Sequence, residues 1–343
     1  MSQPFHVNLV LGRRFLQASL LVPLHRNEPV GAHALPIRCE EVSRVKRPGR
    51  KAGDEEIKQC KEAVKKQNLS RRFVEMGGQL RAELDQAGGS RKIFALTGDG
   101  SFCNRTCFAE IPERSVLLVR ARQDAKLCFR APAGSRRFYD TEKFTPDHVR
   151  LDQAREWKTT KISYAGKRRK VRCKELVGVY WQGGAKQRPL RLIVIAPTPY
   201  RKSKSKKLYY PRQAYLLATN LGSCAKQSLQ IYFDRWQIEV NHREENGTLG
   251  VGQAQLGNVT SVPKQPVLAF AAYGALLLAA NRAFGAGRGQ VYAKLPKRRC
   301  RARRLPCLDL IALLRIEVAE QTQLLEPCGF EISAPALTRA TAA

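Results

Sequence analysis

The chain has 343 residues, with 61 basic against 29 acidic side chains, and its net charge of +32 favours polyanionic partners. Nucleic acid is the first candidate, although a membrane surface or ribosomal RNA would also satisfy the charge. A hydrophobic fraction of 43% is enough to build a core and excludes a basic disordered tail. The length allows one large domain or two modest ones.

The first third of the chain alternates strand-forming and helix-forming segments. Its predicted elements are a hairpin of residues 7–12 and 15–24, helices over 54–67 and 70–87, and strands over 92–97 and 115–122. A short helix separates the two strands. This order is typical of an α/β fold.

Residues 123–222 have a different character, with short apolar runs separated by basic turns. Strands are predicted over 161–164, 176–181, 190–196 and 214–217. The turns include Lys167-Arg168-Arg169-Lys170 and the segment 201–207, and a third basic run follows at 294–304. We expect these runs to be candidate contacts to a nucleic-acid backbone, although a charge run is more often a solvated face.

The last third predicts two long helices. One covers 223–245, with Ser223 as its N-cap, and one covers 267–284, followed by a short helix starting at 308–314. The apolar stretch 267–280 is too short to cross a bilayer, so we expect a buried helix and no membrane partner. Ten cysteines without a C-x-x-C pair indicate free thiols in a reducing cytoplasm.

These composition changes predict four segments: a first core part (1–122), a β-rich insertion (123–222), a second core part (223–290) and a basic C-terminal tail (291–343).

The segment IYFDRWQIEVNHREEN places several function-bearing positions on one helix face. At 100° per residue, Tyr232, Arg235, Glu239 and Asn246 fall within a stripe about 60° wide. A carboxylate beside a guanidinium and a phenol suits metal-assisted phosphodiester chemistry. The acid holds a divalent ion while the other two groups hold phosphates.

The same segment has a structural interpretation. Ile231, Trp236 and Val240 have the character of a core face. Arg235 and Glu239 are also i,i+4 neighbours, a pairing common on solvated helices.

Asp99 follows a predicted strand within a Gly98-Asp99-Gly100 turn. The carboxyl ends of strands are where α/β sheets place ligand-binding side chains. The alternative is an Asp-Gly turn that caps the next helix.

Together these residues resemble the DDE-type insertion-sequence transposases. Tyr232, Arg235 and Glu239 match the Tyr-x2-Arg-x3-Glu-x6-Lys signature, with Asn246 in place of its Lys. The run GDGSFCNRTCF and the following VRARQDAKL resemble the segment around the family's second catalytic aspartate. The stretch 215–220 is similar to the segment that leads into the signature helix.

The resemblance implies an RNase H-like mixed sheet with flanking helices, interrupted by a β-rich insertion. It also implies two Mg²⁺ or Mn²⁺ ions roughly 4 Å apart. The partners would be transposon-end DNA and a second copy in a synaptic homodimer, in the nucleoid of the cytoplasm. The implied roles are catalytic metal ligands for Asp99 and Glu239, and DNA contacts for Tyr232, Arg235, Asn246, Lys167, Arg168, Arg169 and Lys170.

Two departures from the family pattern affect the expected activity. The third carboxylate belongs on the fold's first strand, and residues 1–27 contain no acid, so we expect that strand to be missing. Asn246 removes one phosphate-neutralising charge. We therefore expect weakened metal binding and impaired DNA cleavage. The alternative is a non-catalytic, basic nucleic-acid-binding protein that retains the transposase scaffold.

Overall fold

The structure is a computed structural model, and it describes residues 13–24, 31–43, 45–164, 167–199, 207, 212–254, 256–258, 260–285 and 306–320. Strands and helices both contribute to it, so the α/β class is confirmed. Residues 7–12 of the predicted N-terminal hairpin lie outside the described residues.

Strands and helices interleave along the first two thirds of the chain, and helices follow the last strand. The strands are β1 (Phe15–Pro23), β2 (Ala32–Glu41), β3 (Phe94–Gly98), β4 (Ser115–Ala121), β5 (Leu127–Arg130), β6 (Tyr139–Phe144), β7 (Lys158–Tyr164), β8 (Lys167–Val179), β9 (Leu190–Ile195) and β10 (Ala214–Ala218). The helices are α1 (Asp54–Lys66), α2 (Leu69–Leu84), α3 (Arg105–Ala109), α4 (Pro146–Leu151), α5 (Ala225–Asp234), α6 (Gln237–Gly247), α7 (Lys264–Phe284) and α8 (Cys307–Glu320).

A six-stranded mixed sheet has the order β3-β4-β10-β9-β8-β7. β3 runs parallel to β4, whereas β10 is antiparallel to both of its neighbours, with Leu217 opposite Val119 and Leu192. β9 is buried at every position, as expected for an interior strand covered on both faces. Four strands of the segment 123–222 thus share a sheet with β3 and β4. The division of the chain into four segments stays a prediction.

The core beside this sheet is built from apolar side chains of the strands and of α2 and α3. Leu117, Val119, Leu192 and Leu217 are buried in it, and so is Phe108 of α3. The Phe108 ring meets Trp181 edge-to-face, with ring centroids 5.7 Å apart. Edge-to-face contacts of this kind stabilise a core beyond the area they bury.

The two-stranded sheet β5-β6 is not evident in the sequence. Leu127 lies opposite Phe144, and an irregularity follows Cys128. Cys128 also pairs with Tyr180, whose backbone N–H and C=O both bond to it, at 2.8 and 3.0 Å. The β5-β6 hairpin is therefore tied by its backbone to the chain that leaves β8.

The end of α2 is held by a buried arginine. Asn68 caps the start of this helix by accepting from the N–H groups of Ser70 and Arg71. At the other end Arg81 is 4% exposed, and its guanidinium donates to the carbonyls of Lys92 (2.7 Å) and Gly89 (2.9 Å) and pairs with Asp85. The turn Asp85–Gly89, in which Gly88 has a φ of +80°, thereby closes onto the strand that follows.

The chain divides into two compact units. Unit one holds Met1–Gln17, Cys39–Ile162 and Arg169–Arg235, and unit two holds Ala18–Arg38, Ser163–Arg168 and Trp236–Ala343, each as far as it is described. In unit two, α6 and α7 pack against the β1-β2 hairpin. Asn241 donates to the Ala34 carbonyl at 3.0 Å, and the Asn281 amide nitrogen lies 2.8 Å from His33 Nε2.

Helix α7 is longer than the apolar run seen in the sequence. At 21 residues it is long and apolar enough to cross a membrane by length and composition, and only 28% of its most apolar window is buried. Its buried side includes Phe270, Tyr273 and Leu277. Core helices of soluble proteins pass the same test, so a single such helix among the described residues is weak evidence for a membrane partner.

Candidate functional site

Asp99 lies directly after β3, on a short turn with little freedom. Its Oδ1 accepts from the Ser101 N–H at 2.8 Å, and the side chain is exposed. A Cβ atom at Gly98 would come within 2.7 Å of the Phe102 ring, so only glycine allows that ring to pack under the turn. Phe102 in turn stacks on Phe73 of α2 at 4.2 Å. The turn therefore presents an exposed carboxylate. Its hydrogen bond from Ser101 is the contact expected if Asp99 caps the turn that follows.

The residues after Asp99 anchor the turn to α2. Asn104 caps α3 and donates to Ser70 Oγ at 2.7 Å. Burial raises the pKa of the Cys103 thiol to about 12 and that of the Cys107 thiol to about 11. Both thiols are therefore protonated at neutral pH, and they suit packing better than nucleophilic chemistry.

Tyr232 and Arg235 are brought together as their spacing predicts. Tyr232 lies on α5, and the Arg235 guanidinium lies over its ring, 5.7 Å from the centroid. This is cation–π distance, and both side chains are half-buried. The phenol and the guanidinium therefore form one surface element of unit one.

The predicted continuous helix over 223–245 is wrong, because it is broken at Arg235 and Trp236. Both residues keep right-handed helical dihedral angles, but the Glu239 N–H bonds to the Trp236 carbonyl, three residues back, at 3.1 Å. This tighter turn ends α5 and starts α6. No glycine or proline marks the break in the sequence. Trp236, which has core character in the sequence, is 53% exposed.

Glu239 stands in the first turn of α6 with its side chain exposed. A carboxylate is favoured there by the helix dipole. His242, one turn further on, has its pKa raised by a hydrogen bond to Glu245 and, to a smaller extent, by the charge of Glu239. Asn246 is exposed near the end of the same helix, and its carbonyl accepts from Gln253 Nε2 at 3.1 Å.

The structure thus unites some of the predicted residues. Asp99, Tyr232 and Arg235 belong to unit one, whereas Glu239 and Asn246 belong to unit two, so the convergence of Asp99 and Glu239 stays a prediction. In the part of the chain that the structure describes, no three His, Cys, Asp or Glu side chains form a group that could hold a metal ion.

The prediction that Lys167–Lys170 forms a turn is wrong. These residues are the beginning of strand β8. Lys170 and Arg172 are exposed and alternate with the buried Val171 and Cys173. Alternate residues of a strand share a face, so these two cations point to the same side. Of the other two basic runs, 201–206 and 294–304 lie outside the described residues, and Lys207 is exposed.

Asn220 has a structural role. Its Oδ1 accepts from the N–H groups of Gly222 (2.9 Å) and Ser223 (3.2 Å), which shapes the turn before α5. The N-cap of α5 is then Cys224 and not Ser223, and the Cys224 N–H bonds to Gln227 Oε1 at 3.2 Å.

Sequence reasoning missed an aromatic and basic surface on the β5-β6 hairpin. Phe138 meets Tyr139 and Tyr180 edge-to-face, with centroids 5.0 and 5.2 Å apart, and Arg130 lies over the Phe138 ring at 5.4 Å. Tyr180 is far from the other three in sequence, so only a prediction of strand pairing could have found the cluster.

No protein-family model matches the chain, and a search of curated proteins finds no match either.

Proposed function

We propose that the chain is a DNA-binding protein of the DDE transposase type, with an RNase H-like core and a reduced capacity for metal-dependent DNA cleavage. The observation that carries the proposal is the segment with Tyr232, Arg235 and Glu239 at signature spacing. Arg235 lies on the Tyr232 ring, and Glu239 is exposed one turn further on. The mixed sheet, the exposed Asp99 after a parallel strand, and the charge of +32 support it.

The proposal gives distinct roles to the two acids and to the pair of Tyr232 and Arg235. Asp99 and Glu239 offer exposed carboxylate oxygens, the donor type that Mg²⁺ prefers, so they fit this ion by their chemistry. Bound metal would supply Lewis-acid stabilisation of the reacting phosphate. Arg235 donates to a backbone phosphate, and its charge is oriented by the Tyr232 ring. Tyr232 holds the same strand through its hydroxyl group.

A non-catalytic nucleic-acid-binding protein is the second candidate. Asn246 favours it, because the position that carries a cation in the family carries a neutral amide in this chain. Binding by overall charge would survive this change, whereas cleavage depends on each contact to the reacting strand.

Glu239→Gln separates the two candidates. On a supercoiled plasmid with Mg²⁺ or Mn²⁺, we expect the unchanged protein to nick slowly and Glu239→Gln to fall to background, because the amide is a poor metal ligand. Binding to a short fluorescent duplex should stay within about twofold, since the acid is no phosphate contact. Glu62→Gln, at an exposed position of α1, is the matched control and should nick like the unchanged protein.

Three results would contradict the transposase proposal. Nicking that persists in Glu239→Gln would place the activity elsewhere or in a contaminant. No nicking by the unchanged protein, with duplex binding retained, would leave the non-catalytic candidate. Failure to bind nucleic acid in any form would remove both candidates.

Asn246→Lys tests the departure from the signature. If position 246 faces DNA, restoring the cation should steepen the dependence of the logarithm of affinity on the logarithm of salt concentration by about one unit. Gln59→Lys, exposed on α1, adds the same charge outside the proposed site. Duplex titrations over a salt series measure both slopes. Equal steepening in the two variants would show that the slope follows net charge and not position 246.

A further inference from the structure

A groove of about 310 Å³ lies beside the β5-β6 hairpin, between it and α4. One wall is aromatic, because Phe129 and Phe144 lie 5.1 Å apart with their rings tilted by 34°, and Leu176 lies opposite. Phe129 is 38% exposed, so part of its ring is open to a ligand. The volume is at the lower end for small-molecule sites and suits one planar group.

The charges that line the groove balance. Lys143 and Arg155 line it together with Glu142 and Asp152, and Arg155 pairs with Asp152 at 3.0 Å. A free phosphate would gain little from a neutral lining that includes two acids. A neutral, planar and polar group, such as a nucleobase, meets both the open aromatic ring and the polar rim.

The tip of the same hairpin, unlike the groove, carries a net positive charge. Residues 130–137 include Arg130, Arg136 and Arg137, all exposed, and no acid. Behind them lie the half-buried rings of Phe138, Tyr139 and Tyr180. The Cys128–Tyr180 backbone pairing fixes this cluster, so its rings are held in place before any ligand arrives. Stabilising the hairpin would explain the rings, but it would not explain three exposed cations and no acid in eight residues.

Groove and tip lie at the two ends of the same short hairpin. Lys143 of the groove and Tyr139 of the tip are four residues apart on β6, which corresponds to about 13 Å along a strand. Stacked nucleotides rise about 3.4 Å each, so roughly four fit over this length. Aromatic surfaces for bases beside cations for phosphates are the means by which proteins bind single strands.

We infer that the β5-β6 hairpin, with α4 and Tyr180, is a binding site for a short unpaired stretch of DNA. One base enters the groove against Phe129, neighbouring bases contact Phe138 and Tyr139, and the phosphates lie against Arg130, Arg136 and Arg137. Bases in a duplex are stacked on one another and do not reach these rings, so the site selects single strands. This inference rests on the proposed DNA-binding function and specifies the form of DNA that unit one takes.

The test compares fluorescent oligo(dT) with a mixed-sequence duplex of equal length, by fluorescence anisotropy on the full chain. Phe129→Ala should weaken oligo(dT) binding by about tenfold, the usual cost of losing one stacking ring, and should leave duplex binding within about twofold. Ile93→Ala, at an exposed apolar position of unit one, is the matched control and should change neither. The pair Arg136→Gln and Arg137→Gln should lower the salt slope for oligo(dT) by about 0.7 per residue.

A second measurement needs no variant. An oligonucleotide carrying 5-iodouracil should crosslink on irradiation to Phe129, Phe138, Tyr139 or Tyr180, as identified by mass spectrometry. Crosslinks confined to other elements would overturn the inference, as would equal losses of duplex and oligo(dT) binding in Phe129→Ala. Binding to duplex without binding to oligo(dT) would also overturn it and would leave the proposed function standing. Binding to neither form would end both.

Discussion

Arg81→Met should lower the free energy of unfolding by about 2–3 kcal/mol, the order of cost of removing a buried charged donor from two backbone carbonyls. The guanidinium is almost fully buried and donates to two backbone carbonyls besides pairing with Asp85. Methionine fills much of the volume but leaves both carbonyls without these donors. Urea unfolding followed by circular dichroism measures the loss, with the slope against urea concentration expected to stay constant.

Arg114→Met is the matched control, because Arg114 binds the other oxygen of the same Asp85 at 2.7 Å and the Ser90 carbonyl at 2.8 Å. Its side chain is 52% exposed, so water replaces its contacts, and the loss should stay below about 1 kcal/mol. Similar losses of unfolding free energy in Arg81→Met and Arg114→Met would show that the burial of Arg81 does not determine its contribution to stability.

The Arg81 effect should also depend on pH. The hydrogen bond from Arg81 is the largest influence that lowers the pKa of Asp85 below its ordinary value of 3.8. A carboxyl group with a lowered folded-state pKa stabilises the protein above its unfolded pKa, and this contribution is lost as the pH falls through the folded value. The difference in stability between the unchanged protein and Arg81→Met should therefore narrow below about pH 4.

Gly184→Ala should destabilise the core by about 3 kcal/mol, the upper part of the usual range for overpacking. A Cβ at this position would lie 2.1 Å from the ring of Trp181, which is itself packed against Phe108. The ring cannot move away without losing that contact. Gly183→Ala is the matched control, because the nearest atom to its Cβ would be 3.9 Å away, and its effect should stay within about 0.5 kcal/mol.

Tryptophan fluorescence during denaturant unfolding reports both glycine variants, since Trp181 is the residue that is displaced. We expect a lower midpoint and an altered native spectrum for Gly184→Ala only. An unchanged midpoint in that variant would mean that the ring has room that the structure does not show.

Apolar runs make the central sheet predictable. The segments that form β4, β9 and β10 are short and apolar, and their predicted bounds agree with the structure within one or two residues. The predicted start of β8 is too late, because its first residues are cations. The alternation of exposed Lys170 and Arg172 with buried Val171 and Cys173 carries the strand signal, and charge density obscures it.

The candidate site is predictable only where it is local. Tyr232 and Arg235 are three residues apart, so helical geometry alone brings them together. The break before Glu239 depends on one shifted backbone hydrogen bond, for which the sequence offers no breaking residue. The Phe138, Tyr139 and Tyr180 cluster depends on a strand pairing across about fifty residues, which no local pattern reports.

The position of β10 between β4 and β9 governs when the sheet is completed during synthesis. About ninety residues separate the end of β4 from the start of β10. At translation rates of roughly 5–20 residues per second, β10 is synthesised about 5 to 20 s after β4, which until then lacks this neighbouring strand. Throughout that interval Leu117, Leu118 and Val119 form an incomplete apolar edge, the kind of surface on which nascent chains associate. The yield of folded protein should therefore depend on whether that edge is protected during the interval, and abundant chaperones should raise it.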